Sequence, residues 1–312
     1  MTSRERVQAA LKKQSVDRLP VFMWFHPDTA RILAAMLEIP VASVGEAMGN
    51  DIRQAWVNNN HAMEGIVHER DGEWHVDWWG IKWVTQHGFN QIAEFPLAGA
   101  AREAVLAYEF PPEERREELL GLMLPVARGR GDFFIGCDVS PCVFEMYWRL
   151  RGMEDAMLDI AADPDLAAEM FRRCAGFSIE LGEKACARFP LDWFWTGDDV
   201  AGQRGMLLSP RSWRTLVKPH LERIFAVGRS RGLPVAYHCC GALRPIIPDL
   251  IEIGLDVLNP VQSNCPGMDP CELKREYGRE LAFMGGVDTQ ELLPNSSAAE
   301  VRRATSELLD VT

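Results

Sequence analysis

His238 and Cys240 are the residues of this chain whose types and spacing point most directly to chemistry. They end the run Leu233-Pro-Val-Ala-Tyr-His238-Cys239-Cys240-Gly241, which reads as a short apolar strand closed by a glycine turn. Side chains alternate across a strand, so His238 and Cys240 face one way and Cys239 the other. An imidazole and a thiolate two positions apart on a rigid strand end can grip one zinc ion. Free cysteine also packs as a small hydrophobe, and spacing by itself leaves both readings open.

Other chemistry-bearing residues recur at the ends of apolar runs. Phe133-Phe-Ile-Gly-Cys-Asp138, Asp192-Trp-Phe-Trp-Thr-Gly-Asp198-Asp199 and Leu281-Ala-Phe-Met-Gly-Gly-Val-Asp288 each read as a strand with its following loop. So does Leu255-Asp-Val-Leu-Asn-Pro260, whose loop carries Gln262 and Cys265. Helical patterns separate these runs. Asp163-Pro164 opens one that reaches residue 188, and Ser209-Pro210 opens another toward 231 that Pro219 is expected to break or kink. Others are expected over 244–253, 270–277 and 297–309. Strands alternating with helices from about residue 130 predict a parallel sheet with helical crossovers. A single α/β barrel is preferred, with a doubly wound open sheet as the alternative. In a barrel the loops after the strands share one face, so Asp138, Asp198, Asp199, His238, Cys240, Gln262, Cys265 and Asp288 converge there. Asp198 and Asp199 also suit a turn or a helix cap.

The first third is less regular. Ser3 is expected to cap a helix to about Lys13, residues 17–25 read as the first strand, and a helix follows from Thr29, with a second amphipathic piece over 41–48. Over 66–85, Asp71-Gly72 lies between two β-prone runs, a hairpin signal, with Gly80 as a second turn or bulge. Trp74, Trp78, Trp79 and Trp83 either lid a ligand or cover the core, and packing is favoured because large aromatics ordinarily bury area. Pro111-Pro112 starts an acidic helix over 113–128. No composition break divides the chain, so one domain is expected over 1–312. Within it, 1–130 carries the N-terminal helices, first strand and Trp-rich hairpin, and 131–312 the regular β/α repeats.

With 312 residues, 47% hydrophobic and 25% charged, the chain has the make-up of a globular protein able to bury a large core. A net charge of -12 argues against an electrostatic nucleic-acid binder. No run approaches the roughly 18 to 20 apolar residues of a membrane span, and the start shows no apolar signal core. A cytoplasmic location is expected, with the eight cysteines as reduced thiols.

Read together, the loops give the chain a resemblance to the uroporphyrinogen decarboxylase superfamily over nearly its whole length. It is carried by Arg4-Glu-Arg-Val7 with Asp17-Arg-Leu-Pro-Val21, Gly197-Asp198-Asp199, Ser209-Pro210 through Lys218-Pro219, and His238-Cys-Cys240-Gly241 with Ile247-Pro-Asp-Leu-Ile-Glu-Ile-Gly254. Asp256-Val-Leu-Asn-Pro-Val-Gln262 and Phe283-Met-Gly-Gly-Val-Asp288 complete it. The resemblance implies a (β/α)8 TIM barrel. Its last strand and helix, with a further cysteine ligand, are expected to fall beyond Thr312.

Within that superfamily, decarboxylation of uroporphyrinogen implies an arginine-rich segment after the first strand. This chain reads Met23-Trp-Phe-His-Pro-Asp-Thr-Ala-Arg31 there, with one late arginine, and carboxylates without charged partners are costly to bury. The resemblance is closer to the zinc methyltransferases that move a methyl group between a corrinoid (cobalamin) protein and a small-molecule donor or acceptor, which carry a His-x-Cys pair at this strand end. It implies zinc on His238 and Cys240, with Cys265 as the expected third ligand. Asp198, Asp199 and Asp288 are the expected catalytic or orienting groups, and Gln262 and Trp79 the expected corrinoid contacts. The alternatives are a porphyrinogen decarboxylase and a corrinoid-binding or small-molecule-binding protein without turnover.

Overall fold

In a computed structural model, which describes residues 1–58 and 70–311, six parallel strands form one sheet. They are β1 (Ile52–Trp56), β5 (Phe134–Asp138), β6 (Trp193–Gly197), β9 (Val235–His238), β10 (Val257–Val261) and β11 (Ala282–Gly285), hydrogen-bonded in that order. Within this sheet the strands follow one another in chain order, with helices in the connections, which is the order of a β/α barrel rather than of a doubly wound sheet. The described residues supply six such strands where the full barrel has eight.

One face of the sheet curls around a shared core. Ile52, Phe134, Trp193, Trp195, Ala236 and Val257 form one buried cluster with Ala282 and Met284 packed on it, drawing inward-facing positions from all six strands. Close packing sets the glycine here: a Cβ on Gly136 would lie 2.0 Å from the Trp193 indole nitrogen. Val7, Leu11 and Phe22 complete this cluster. The other face is covered by helices such as Pro164–Arg188, started by the Asp163 side chain accepting the Leu166 N–H at 3.2 Å.

The expected strands from residue 130 onward all form, with ends shifted by one to three residues, mostly inward, and β10 running one residue further to Val261. The expected first strand does not. Residues 17–25 form no strand, and β1 begins instead at Ile52. An ionic clasp fixes the earlier segment. The buried Asp51 carboxylate accepts from Arg6 Nη1 at 2.6 Å, Arg18 Nη1 at 2.7 Å, Ser3 Oγ at 2.8 Å and the Val21 N–H at 2.8 Å. The N-terminal signature thus docks the helix Ser3–Leu11 beside β1, and Thr2, not Ser3, caps that helix.

Residues 113–128, expected as one helix, form Glu113–Leu120 and Met123–Arg128, while the pattern from Ser209 breaks near Pro219 as expected, giving Pro210–Leu216 and Lys218–Arg229. A separate antiparallel sheet holds β2 (Trp74–Val76), β3 (Lys82–Gln86) and β4 (Phe89–Glu94). The connection from β2 to β3 uses Gly80 at φ +72°, as expected, whereas Asp71-Gly72 lies ahead of β2. Residues 66–69 of the expected hairpin lie outside the described residues. A short hairpin, β7 (Ala201–Gly202) and β8 (Gly205–Met206), follows β6. No helix among the described residues is long and apolar enough to cross a membrane.

Candidate metal centre

The loops at the C-terminal ends of β5, β6, β9 and β10 meet around His238. Gly197, His238 and Asn259 pair in register across β6, β9 and β10. The Nδ1 of His238 lies 2.7 Å from Asn259 Oδ1, and on its other side the lack of a side chain at Gly197 makes room for it, since a Cβ there would sit 3.1 Å from the His238 Cβ.

Nε2 of His238 faces Cys240 Sγ at 3.5 Å and Asp199 Oδ1 at 3.8 Å. One donor atom each from Asp199, His238 and Cys240 lies within 4.8 Å of the other two. Bonds of about 2.0 to 2.3 Å around tetrahedral zinc put ligand atoms about 3.3 to 3.6 Å apart, so the trio needs only a small contraction to hold one ion. Nitrogen, sulfur and carboxylate oxygen are all donors that zinc accepts. The side chains of His238 and Asp199 keep 31% and 34% exposure, which leaves a face open to a substrate.

The electrostatics fit a cation. Burial pushes the Cys240 thiol up to about 12, and the charges of Asp199, Glu145 and Cys265 push the same way. Without a positive charge beside it, this cysteine is a thiol and not a nucleophile. Asp199 is also raised, by burial and by Glu145, with His238 opposing. Glu145 is the neighbour that sequence reasoning missed. Its Oε2 accepts the Asp199 N–H at 3.1 Å, and its Oε1 accepts from Arg149 Nη2 at 2.6 Å.

Asp198 has a different task from Asp199. It is buried and accepts the backbone N–H groups of Val143, Phe144 and Glu145 at 3.1, 3.1 and 2.7 Å. These are donors at the start of the helix Phe144–Arg151, which have no partner within the helix itself. Burial pushes the Asp198 carboxyl up to about 7, and the three N–H groups oppose the shift. Asp198 thereby fixes the helix that presents Glu145. Asp138 lies inward at the end of β5 and accepts from Ser140 N–H at 2.8 Å and from Ser140 Oγ. Burial pushes its carboxyl up to about 7 as well, against those two bonds.

The remaining expected site residues divide. Gln262 belongs to the site's frame, its Oε1 accepting the Gly241 N–H at 2.7 Å. Cys265 stands outside the trio, and its thiol donates toward Gln203 Oε1 at 3.2 Å, whereas Asp199 is the third group beside His238 and Cys240. Asp288 accepts the N–H groups of Gln290 and Glu291 at 2.8 and 3.2 Å, a turn cap after β11. Trp79 is 1% exposed, with ring centroids 4.6 Å from Phe177 and 5.2 Å from Phe110. It fills the core under the hairpin sheet and offers no surface to a corrinoid.

Asn259 and Glu145 carried a weak sequence signal. Asn259 is a polar residue on an otherwise apolar buried strand, where a polar group needs a partner. Glu145 stands in the first turn of a helix that follows a strand-end loop.

The family model for uroporphyrinogen decarboxylase (URO-D) matches residues 134–312. No curated protein gives a significant sequence match. Among solved structures, a methyltransferase from Methanosarcina mazei superposes with a TM-score of 0.69 at 18% sequence identity, over 99% of this chain and 90% of that one. At that identity the likeness is one of fold.

Proposed function

This chain belongs to the uroporphyrinogen decarboxylase family, and on that footing we propose that it is a zinc-dependent methyltransferase. It moves a methyl group between a corrinoid carrier, supplied by a partner protein, and a small-molecule donor or acceptor. The observation that carries the reading is the trio Asp199, His238 and Cys240, whose donor atoms lie within 4.8 Å of one another. The M. mazei protein of the same fold, itself a methyltransferase, supports the reaction class.

His238 Nε2, Cys240 Sγ and Asp199 Oδ1 would hold the ion. Bound there, zinc supplies a Lewis acid that lowers the pKa of a substrate thiol or polarises a leaving group at neutral pH. The chain's own residues set the conditions. Glu145 and Asp199 concentrate negative charge that a dication offsets, and the Cys240 N–H donating to Asp199 Oδ1 at 2.8 Å locks the two loops in register. Gln262 fixes the turn at Gly241, which has φ +90° and whose Cβ would fall 2.4 Å from the Gly202 carbonyl oxygen.

The decarboxylase reading needs cationic partners for the substrate's carboxylates. Arg31 is committed to Asp28, and Arg149 to Glu145. The test is to incubate zinc-loaded protein with methylcobalamin and a set of simple alkyl thiols, following the cobalamin spectrum and thioether formation by mass spectrometry. Thioether formed by the parent and abolished by His238→Ala with Cys240→Ala supports the proposal. Carbon dioxide released from uroporphyrinogen, with no methyl transfer to or from any acceptor or donor tried, would overturn it.

A further inference from the structure

We infer that Asn259 is a positioning residue that selects the tautomer of His238, and so decides which ring nitrogen faces the candidate metal site. The inference rests on the reading of Asp199, His238 and Cys240 as metal ligands. A neutral imidazole has one N–H and one bare nitrogen, and only the bare one can ligate. The ring's other nitrogen commonly carries its proton toward a carboxylate or carbonyl acceptor, which fixes the ring and its tautomer.

Here Asn259 Oδ1 lies 2.7 Å from Nδ1, while Nε2 is the atom that faces Cys240 and Asp199. The contact is held by the sheet itself. His238 and Asn259 are register partners, and the Cys239 N–H donates to the Asn259 carbonyl oxygen at 2.9 Å. Asn259 is 4% exposed, so water does not compete freely for the pair. With Oδ1 as acceptor, the proton stays on Nδ1 and the lone pair of Nε2 points into the trio. The opposite orientation of the amide would donate to Nδ1, put the proton on Nε2 and close the site to a metal.

The decisive measurement is the 15N shift pair of the His238 ring in metal-free protein at a pH well above the ordinary imidazole range, assigned by loss of the signal in His238→Ala. The expected result is protonated Nδ1 and bare Nε2 in the parent and in Asn259→Asp, which keeps an acceptor at the same place. Asn259→Leu, similar in size but without an acceptor, is expected to lose that preference. Its zinc affinity, read by chelator competition, is expected to fall about 10- to 100-fold, with Asn259→Asp restoring it. An Nε2-protonated ring in the parent overturns the inference, as does an Asn259→Leu variant with the parent's tautomer and affinity. If the leucine variant fails to fold, the parent's spectrum still decides. Failure of the parent to bind zinc, with the Nδ1 proton in place, instead removes the metal reading while leaving the hold on His238 intact.

Discussion

Asp199 Oδ1 accepts the backbone N–H of Cys240 at 2.8 Å and stands 3.8 Å from Nε2 of His238. One carboxylate thus joins the loop after β6 to the loop after β9 at the atoms that would hold an ion. A ligand on a loop is only as good as the positioning of that loop, and here the backbone of one candidate ligand is the hydrogen-bond partner of another.

The ligand set makes a direct contrast between two residues. Asp199→Ala is expected to weaken zinc by more than the about 10- to 100-fold typical of an outer partner, because it removes both a donor and the tie to Cys240. Cys265→Ser is expected to leave zinc affinity unchanged. Chelator competition on both variants checks the assignment, and a large loss in Cys265→Ser with none in Asp199→Ala would reverse it.

Asp198 is expected to matter for stability and not for ligation. Asp198→Ala leaves three buried N–H groups without their acceptor and is expected to cost about 3 kcal/mol, read as a shift in the urea midpoint. Asp198→Asn keeps an acceptor and is expected to lose less. Both folded variants should bind zinc at the parent's stoichiometry. An Asp198→Ala protein with the parent's stability and no activity would make the residue catalytic instead.

Asp138 gives the protein a pH dependence whose sign follows from burial. In the unfolded chain an aspartate titrates near about 3.9, and in the folded protein this one sits up at about 7. Between those values the folded state keeps a proton that the unfolded state has lost. The stabilising contribution is therefore complete below about pH 4 and lost as pH rises through 7, with a slope of up to about 1.4 kcal/mol per pH unit. Urea midpoints taken across that range should fall with pH in the parent and fall less steeply in Asp138→Asn. Parallel profiles would show that Asp138 does not titrate in this window.

How much of this could be read from the sequence depended on how local the determining interactions are. β5, β6, β9 and β10 are short, largely buried apolar runs and β11 a half-buried one, each bounded by turn residues, so pattern sufficed. β1 escaped because Arg53 and Gln54 interrupt its apolar run. Residues 21–25 looked more like a strand, but their Phe22 and Trp24 rings instead pack edge-on to Trp195 at 6.3 and 5.6 Å. That His238 and Cys240 stand together was legible because they share one strand end and one face. That Asp199 and not Cys265 stands beside them was not, since it depends on the Cys240–Asp199 hydrogen bond and on the Gln203 contact to Cys265, both between residues far apart in the chain. Trp79 failed as a corrinoid contact for a similar reason, since its packing partners Phe110 and Phe177 lie far from it in the chain.

The central claim is a zinc ion held by His238, Cys240 and Asp199, and metal content tests it most directly. Protein purified without a metal-affinity tag and supplemented with zinc under reducing conditions is compared with the His238→Ala, Cys240→Ala double variant. The account predicts about one equivalent of zinc in the parent and none above background in the folded variant. A parent that holds no zinc after supplementation, or a double variant that holds as much as the parent, would contradict it.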